Sequence, residues 1–178
     1  MKAKMVLVGI SYLLIFSLAG CATIKGTIKG TTETIYSGEK SVADYENVLE
    51  QNPNGVFANR NGEQIRTQII SFQFIDGNKV YFCTGSEKPF YEQLLKFPYV
   101  SYCTYPDDFE PVLSLSGKVV FSDDSSLKER AFNGSGYASM FVRNHYKNVD
   151  NPNLKLFYID VDEIEIYDSD GARAYRTK

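Results

Sequence analysis

The stretch Phe82-Cys83-Thr84-Gly85-Ser86-Glu87-Lys88-Pro89-Phe90-Tyr91-Glu92-Gln93-Leu94 leaves an apolar strand, passes two hydroxyl side chains and a lysine, and enters a helix. Pro89 suits the first helical turn, where its missing N–H costs no hydrogen bond. Phe90, Tyr91, Leu94 and Leu95 then form one apolar face, and Pro98 stops the helix. A junction of this kind holds the parts of an anion site, namely unsatisfied amides, the positive end of a helix dipole and, in Lys88, a full charge. Ser86 as a simple helix cap and Lys88 as a solvated charge account for the same residues, so a second cation has to decide. Arg66 supplies it. A strand from Gln64 to Phe74, folded back by the turn Asp76-Gly77-Asn78 against a strand from Lys79 to Thr84, brings Arg66 and the Thr84 to Lys88 segment to one sheet end. A guanidinium fork beside an ammonium suits a dianionic phosphomonoester.

Around this centre the periodicity predicts a mainly β domain with peripheral helices. Ser41 opens a helix with Val42, Tyr45, Val48 and Leu49 on one face, closed by Asn52-Pro53-Asn54-Gly55. Val56-Phe57-Ala58, the turn Asn59-Arg60-Asn61-Gly62 and the two strands above read as a three-stranded meander. Further strands are predicted over Tyr99 to Tyr105, Leu113 to Phe121 and Leu156 to Ile166. Helices are predicted from Leu127 to Phe132, behind the cap-rich Ser122-Asp123-Asp124-Ser125-Ser126, and from Tyr137 to Tyr146. Several strands with helices at their edges suggest a small barrel, because closure removes the unpaired edges of an antiparallel sheet.

At the N-terminus Lys2 and Lys4 precede an apolar run from Met5 to Leu18, followed by Ala19-Gly20-Cys21, the pattern of an export signal. Leu18-Ala19-Gly20-Cys21 also resembles the bacterial lipobox, which implies cleavage before Cys21 and lipidation of that cysteine. Residues 1–20 are therefore expected to be a lipoprotein signal peptide. Residues 21–40, with Thr-Ile-Lys-Gly twice, are expected to be a flexible tether, 41–170 the folded domain, and 171–178 a frayed tail. The expected location is extracytoplasmic, at the cell membrane or outer envelope, held by the lipid anchor. There Cys83 and Cys103 could pair, or each could remain a small core residue.

A chain of 178 residues is one domain of ordinary size. Its net charge of −3 offers no basic stripe for phosphate backbones, so no nucleic-acid partner is expected. Metal chemistry is not expected, with one histidine, no closely spaced cysteine pair and no Glu/His helix motif, and a Ser/His/Asp or Cys/His centre would have to use that same His145, read here as a surface or packing residue. The acidic pairs Asp107-Asp108 and Asp123-Asp124 lie in turns, where carboxylates cap backbone amides.

The segment from Gly55 to Phe121 resembles the pyridoxamine 5′-phosphate oxidase-like family of FMN-binding split barrels. The residues that carry the likeness are Gly62-Glu63-Gln64-Ile65-Arg66-Thr67, Val80-Tyr81-Phe82-Cys83-Thr84, Lys88, Tyr91-Glu92-Gln93-Leu94, Pro98-Tyr99-Val100 and Leu115-Ser116-Gly117-Lys118-Val119-Val120-Phe121-Ser122-Asp123-Asp124. The helix end Val48-Leu49-Glu50-Gln51-Asn52-Pro53, and later Asp150-Asn151-Pro152 and Leu156-Phe157-Tyr158, also fit. The resemblance implies a homodimeric split β-barrel with FMN in clefts between the subunits. Arg66, Thr67, Gln68, Thr84, Ser86 and Lys88 would hold the phosphate and ribityl chain, and the backbone of Ile69, Ile70 and Ser71 would lie along the flavin ring. Gln93 matches a family position as well. It further implies a flavin-dependent oxidoreductase passing electrons between small molecules, with a non-catalytic flavin- or haem-binding module of the envelope as the alternative. Relatives often read Trp-Leu-Arg before Leu-Ser-Gly where this chain has Val112-Leu113-Ser114, and pyridoxine 5′-phosphate oxidation itself is not expected.

Overall fold

The computed structural model describes residues 36–177, so the export signal, Cys21 and most of the tether lie outside the described residues. In chain order the elements begin with β1 (Tyr36–Glu39), a 3-10 turn (Val42–Tyr45), α1 (Glu46–Gln51), β2 (Asn54–Asn61), β3 (Gln64–Ser71) and β4 (Phe74–Asp76). They continue with β5 (Lys79–Gly85), α2 (Pro89–Lys96), β6 (Tyr99–Thr104) and β7 (Val112–Ser122). The last are α3 (Ser125–Asn133), α4 (Tyr137–Tyr146), β8 (Leu154–Asp168) and β9 (Gly171–Arg176).

The main sheet path runs β1-β9-β8-β7-β6-β2-β3. The fifteen-residue β8 is its spine. One edge of β8 pairs along most of its length with β7, while the other is divided, Leu154 to Asp160 meeting β5 and Glu163 to Asp168 meeting β9. That division splits the sheet into two wings that curl around one core. Leu113, Leu115, Phe157, Ile159, Val161, Ile164 and Ile166 recur at alternate positions of β7 and β8 and are buried there. Phe57 is fully buried at the centre, with edge-to-face contacts to Phe82, Phe90 and Phe157 at centroid separations of 5.6, 5.3 and 6.0 Å.

Between Ser116 and Gly117 the β7–β8 register shifts by a residue. Gly117 passes so close to β8 that a Cβ there would stand 2.2 Å from the Asp160 carbonyl oxygen. The Leu-Ser-Gly triplet thus marks a place where two backbones approach too closely for any side chain. At the start of the domain, Ser41 caps the 3-10 turn in a capping box, its amide donating to the Asp44 carboxylate at 2.9 Å. Asp124 caps α3 in the same spirit, accepting from the Ser126 and Leu127 amides at 2.9 and 3.1 Å.

Three boundaries differ from the sequence reading. The expected frayed tail is ordered: Gly171–Arg176 forms β9, paired with β8 along its length, because Ala174 and Tyr175 bring apolar surface to the sheet. The end of the expected tether, Tyr36–Glu39, is also in the sheet, pairing in parallel with β9, with the Arg176 guanidinium 4.2 Å from the Tyr36 ring centroid. The predicted strand from Gln64 to Phe74 is two strands. At Phe72 the side chain turns into the core and the amide donates to the Pro53 carbonyl at 2.9 Å, while the Gln73 amide donates to the Tyr81 carbonyl at 2.7 Å. The chain therefore leaves β2 and crosses to β5. The Asp76-Gly77-Asn78 turn joins β4 to β5, and β3 pairs with β2 alone. The expected meander is not formed.

Candidate functional site

The broken strand changes the route by which the two cations meet. Arg66 is not folded against β5 by a hairpin. It lies on β3, an edge strand, and Lys88 reaches the same region from the start of α2. A cleft of about 450 Å³ lies between them, lined by Asn59 of β2, Arg66, Thr67 and Gln68 of β3, and Lys88, Pro89, Phe90 and Gln93 at the head of α2. Among the described residues neither Arg66 nor Lys88 forms an ion pair; Arg66 donates to the Gln64 side chain at 3.0 Å.

Asn59 and Gln93 complete this cleft. The Asn59 Nδ2 donates to Gln93 Oε1 at 2.8 Å and to the Arg60 carbonyl at 3.1 Å, leaving the buried Asn59 Oδ1 without a partner. A buried acceptor left unpaired is costly, so this cleft fits a ligand that brings a donor such as a hydroxyl. The Gln93 amide, its oxygen occupied by Asn59, is left to donate. Both residues had a legible signal. Asn59 follows Gly55 and Phe57 at the inward positions of β2, where a polar side chain is out of place unless a partner is supplied. Gln93 lies one turn after Pro89 on the same helical face.

Lys88 also borders a second cleft of about 520 Å³, which runs along the free edge of β3 beside Ile69, Ile70 and Ser71. Its opposite wall is α4, which contributes Tyr137, Phe141 and His145 at successive one-turn spacings, together with Val142 and Tyr146. Tyr137 and Phe141 meet edge to face at 5.1 Å, and His145 lies against Tyr146 at 4.6 Å. The His145 Nε2 is 3.8 Å from Glu87 Oε1, so the single histidine, read from sequence as a bystander, stands in the larger cleft. Burial, helped by the Glu87 charge, pushes the Tyr146 hydroxyl up to about 12, and burial pushes the Cys83 thiol at the same cleft up to about 12. Cys83 and Cys103 are both free thiols.

Seven of the nine predicted cofactor residues line one or other cleft: Arg66, Thr67, Gln68 and Lys88 the first, and Ile69, Ile70 and Ser71 with Lys88 the second. Thr84 and Ser86 stand apart. Thr84 is buried on the face of β5 that also carries Phe82. Ser86 is bound to Asn153, its amide donating to the Asn153 carbonyl at 2.9 Å and its hydroxyl to Asn153 Oδ1 at 3.2 Å. It does not cap α2, whose N-cap is Lys88 with no side-chain bond.

No protein-family model matches the chain, and no curated protein matches it. Solved structures do. A NimC/NimA family protein of Clostridium acetobutylicum is similar with a TM-score of 0.64 at 20% identity, over 74% of this chain and 91% of that one. A protein of the same organism related to general stress protein 26, of the pyridoxinephosphate oxidase family, is similar with a TM-score of 0.62 at 16% identity, over 76% and 93%. A haem-binding protein of Mycobacterium smegmatis is similar with a TM-score of 0.60 at 10% identity, over 73% of this chain and 55% of that one. The divided sheet hung on β8 and these likenesses together give the chain the split-barrel fold of the pyridoxamine 5′-phosphate oxidase-like proteins.

Proposed function

We propose that the domain binds FMN across the two clefts that meet at Lys88 and serves as a flavin-dependent oxidoreductase for a small molecule. The observation that carries this reading is the pair Arg66 and Lys88, brought from separate elements to one cleft with no carboxylate among the described residues in ion-pair contact with either. Two such cations suit the phosphate dianion. The orphaned Asn59 Oδ1 suits a ribityl hydroxyl, and the free edge of β3 at Ile69 to Ser71 offers backbone groups to a ring. Bound there, FMN would supply reversible electron transfer, and the protein's part is to hold and screen it. The exposed Ile65 and Ile69, at alternate positions on one face of β3, support a homodimer whose partner covers that face and leaves the backbone edge to the ligand. The chain would act outside the cytoplasm, tied to the membrane through lipidated Cys21.

The test is a visible spectrum of the purified domain followed by FMN titration. Flavin absorbance, or micromolar binding to the apoprotein, is expected; neither being found overturns the reading. A second reading, a non-catalytic binding module for flavin or haem, draws on the exposed His145 imidazole in the larger cleft and on the haem-binding structural neighbour. A Soret band on haem addition that His145→Ala abolishes would favour it.

A further inference from the structure

A third hollow, of about 410 Å³, takes no part in the flavin reading. It lies where the broken strand crosses from β3 to β4, and its floor is apolar, made of the buried Phe72, Phe74 and Ile75. Its charged walls come from two separate elements. Glu46 and Glu50 belong to α1, and Arg130 belongs to α3. A volume of this size holds a small organic molecule.

The charges are opposite and do not meet. Among the described residues neither Arg130 nor either glutamate forms an ion pair. The Arg130 guanidinium lies instead 4.0 Å from the Phe74 ring centroid, a stacking contact that fixes its plane and leaves its N–H edge to a ligand. Gln73 Oε1 accepts from the Ser139 hydroxyl at 3.1 Å, so the amide nitrogen of Gln73 is a second donor in the same hollow. Glu46 and Glu50 stand one turn apart on one face of α1, where two carboxylates repel each other and a cation between them would relieve the repulsion. The loop that completes the wall is held in place. Arg143 Nη1 donates to the Phe132 and Gly134 carbonyls at 2.6 and 2.7 Å, and a Cβ on Gly134 would stand 2.5 Å from Ser139 Oγ. Opposite charges that share a hollow without pairing, over an apolar floor, complement a molecule that carries both an ammonium and a carboxylate.

We propose that this hollow binds a small zwitterion, a free amino acid or a short peptide with an apolar side chain. Arg130 and Gln73 take its carboxylate, Glu46 and Glu50 its ammonium, and Phe72 and Ile75 its side chain. The site goes beyond the flavin reading and does not rest on it, since no residue assigned to FMN lines this hollow. Its charged groups are exposed, so binding weakens as salt is added.

The test is calorimetric titration of the purified protein at low salt with four probes. L-leucine and L-leucylglycine carry both charges, 4-methylpentanoate has the leucine skeleton without the ammonium, and 3-methylbutylamine has it without the carboxylate. One of the two zwitterions should bind about tenfold or more tightly than either single-charge probe, and the tighter of the two tells a free amino acid from a peptide. Arg130→Gln should reduce that zwitterion to the affinity of 3-methylbutylamine and leave the amine unchanged. Glu46→Gln/Glu50→Gln should reduce it to the affinity of 4-methylpentanoate and leave the acid unchanged. All three positions are exposed, so folding is kept, and FMN affinity should stay within twofold in both variants. No binding by either zwitterion, an amine or an acid that binds as tightly as both, or a zwitterion preference that survives either variant overturns the site.

Discussion

Replacing Gly117 by alanine tests the architecture at its tightest point. The new methyl would stand 2.2 Å from the Asp160 carbonyl oxygen and 2.9 Å from the Val161 Cα, both backbone atoms of β8. No rotamer change can relieve that contact. To reach the shortest separation real structures tolerate, near 3.0 Å, the two strands must part by about 0.8 Å in the middle of a ladder that runs from Val112 to Ser122. Overpacking of this kind costs typically 1–3 kcal/mol, and the upper end, about 3 kcal/mol, is expected where backbone meets backbone. In a domain of this size that lowers the melting temperature by about 10 °C. Urea unfolding followed by tyrosine fluorescence or far-UV circular dichroism gives the difference directly, with the m value unchanged if both states keep their compactness. A loss below about 0.5 kcal/mol, the range of an ordinary surface change, would mean that the register shift beside Gly117 absorbs the methyl and that the close approach of β7 and β8 is misread.

Other outcomes follow from the same structure. Phe57→Ala removes a fully buried ring with four aromatic neighbours and should cost about 3–5 kcal/mol in the same urea experiment, since so enclosed a site cannot collapse easily. Asp124 titrates below its ordinary value of 3.8 because the Ser126 side chain and the Leu127 and Ser126 amides hydrogen-bond its carboxylate. A depressed folded value means that its contribution is present above 3.8 and disappears as pH falls through the folded value. Asp124→Ala should therefore destabilise the protein at pH 7 and make little difference at pH 2. A gap between the two proteins as large in acid as at neutral pH would show that the cap does not act through the charged carboxylate.

Much of the fold was legible because alternation and punctuation are strong in this chain. The runs at Leu113 to Phe121 and Leu156 to Ile166 alternate about a buried face, Pro89 and Pro98 mark helix ends by backbone chemistry, and Asp124 marks one by its capping carboxylate. The hairpin expected to bring Arg66 to Thr84 was not legible, because its failure depends on where Phe72 finds room. The run from Gln64 to Phe74 has no glycine or proline to announce the break, which is made by a buried ring and by amides bonding to Pro53 and Tyr81. Arg66 and Lys88 nevertheless share a cleft, reached around the β2–β3 edge instead of along it. Thr84 and Ser86 line neither cleft for a related reason. A strand residue's facing depends on register, and a turn residue's on distant chain such as Asn153, and neither is written locally. Asn59 carried a local sign, as the one amide among inward-facing positions of β2, and the Tyr137, Phe141, His145 stripe another, though an aromatic stripe alone cannot say whether it faces a core or a cleft.

The phosphate grip is best tested by comparing FMN with riboflavin, which differs only in lacking the phosphate, on the native domain and on Arg66→Ala/Lys88→Ala. Two charge-assisted contacts at about 1.5–3 kcal/mol each should make FMN bind at least tenfold more tightly than riboflavin, and the double variant should bring the two affinities together while leaving riboflavin nearly unchanged. Equal affinities in the native protein, or an FMN preference that survives loss of both cations, would contradict the assignment of Arg66 and Lys88 to the flavin phosphate.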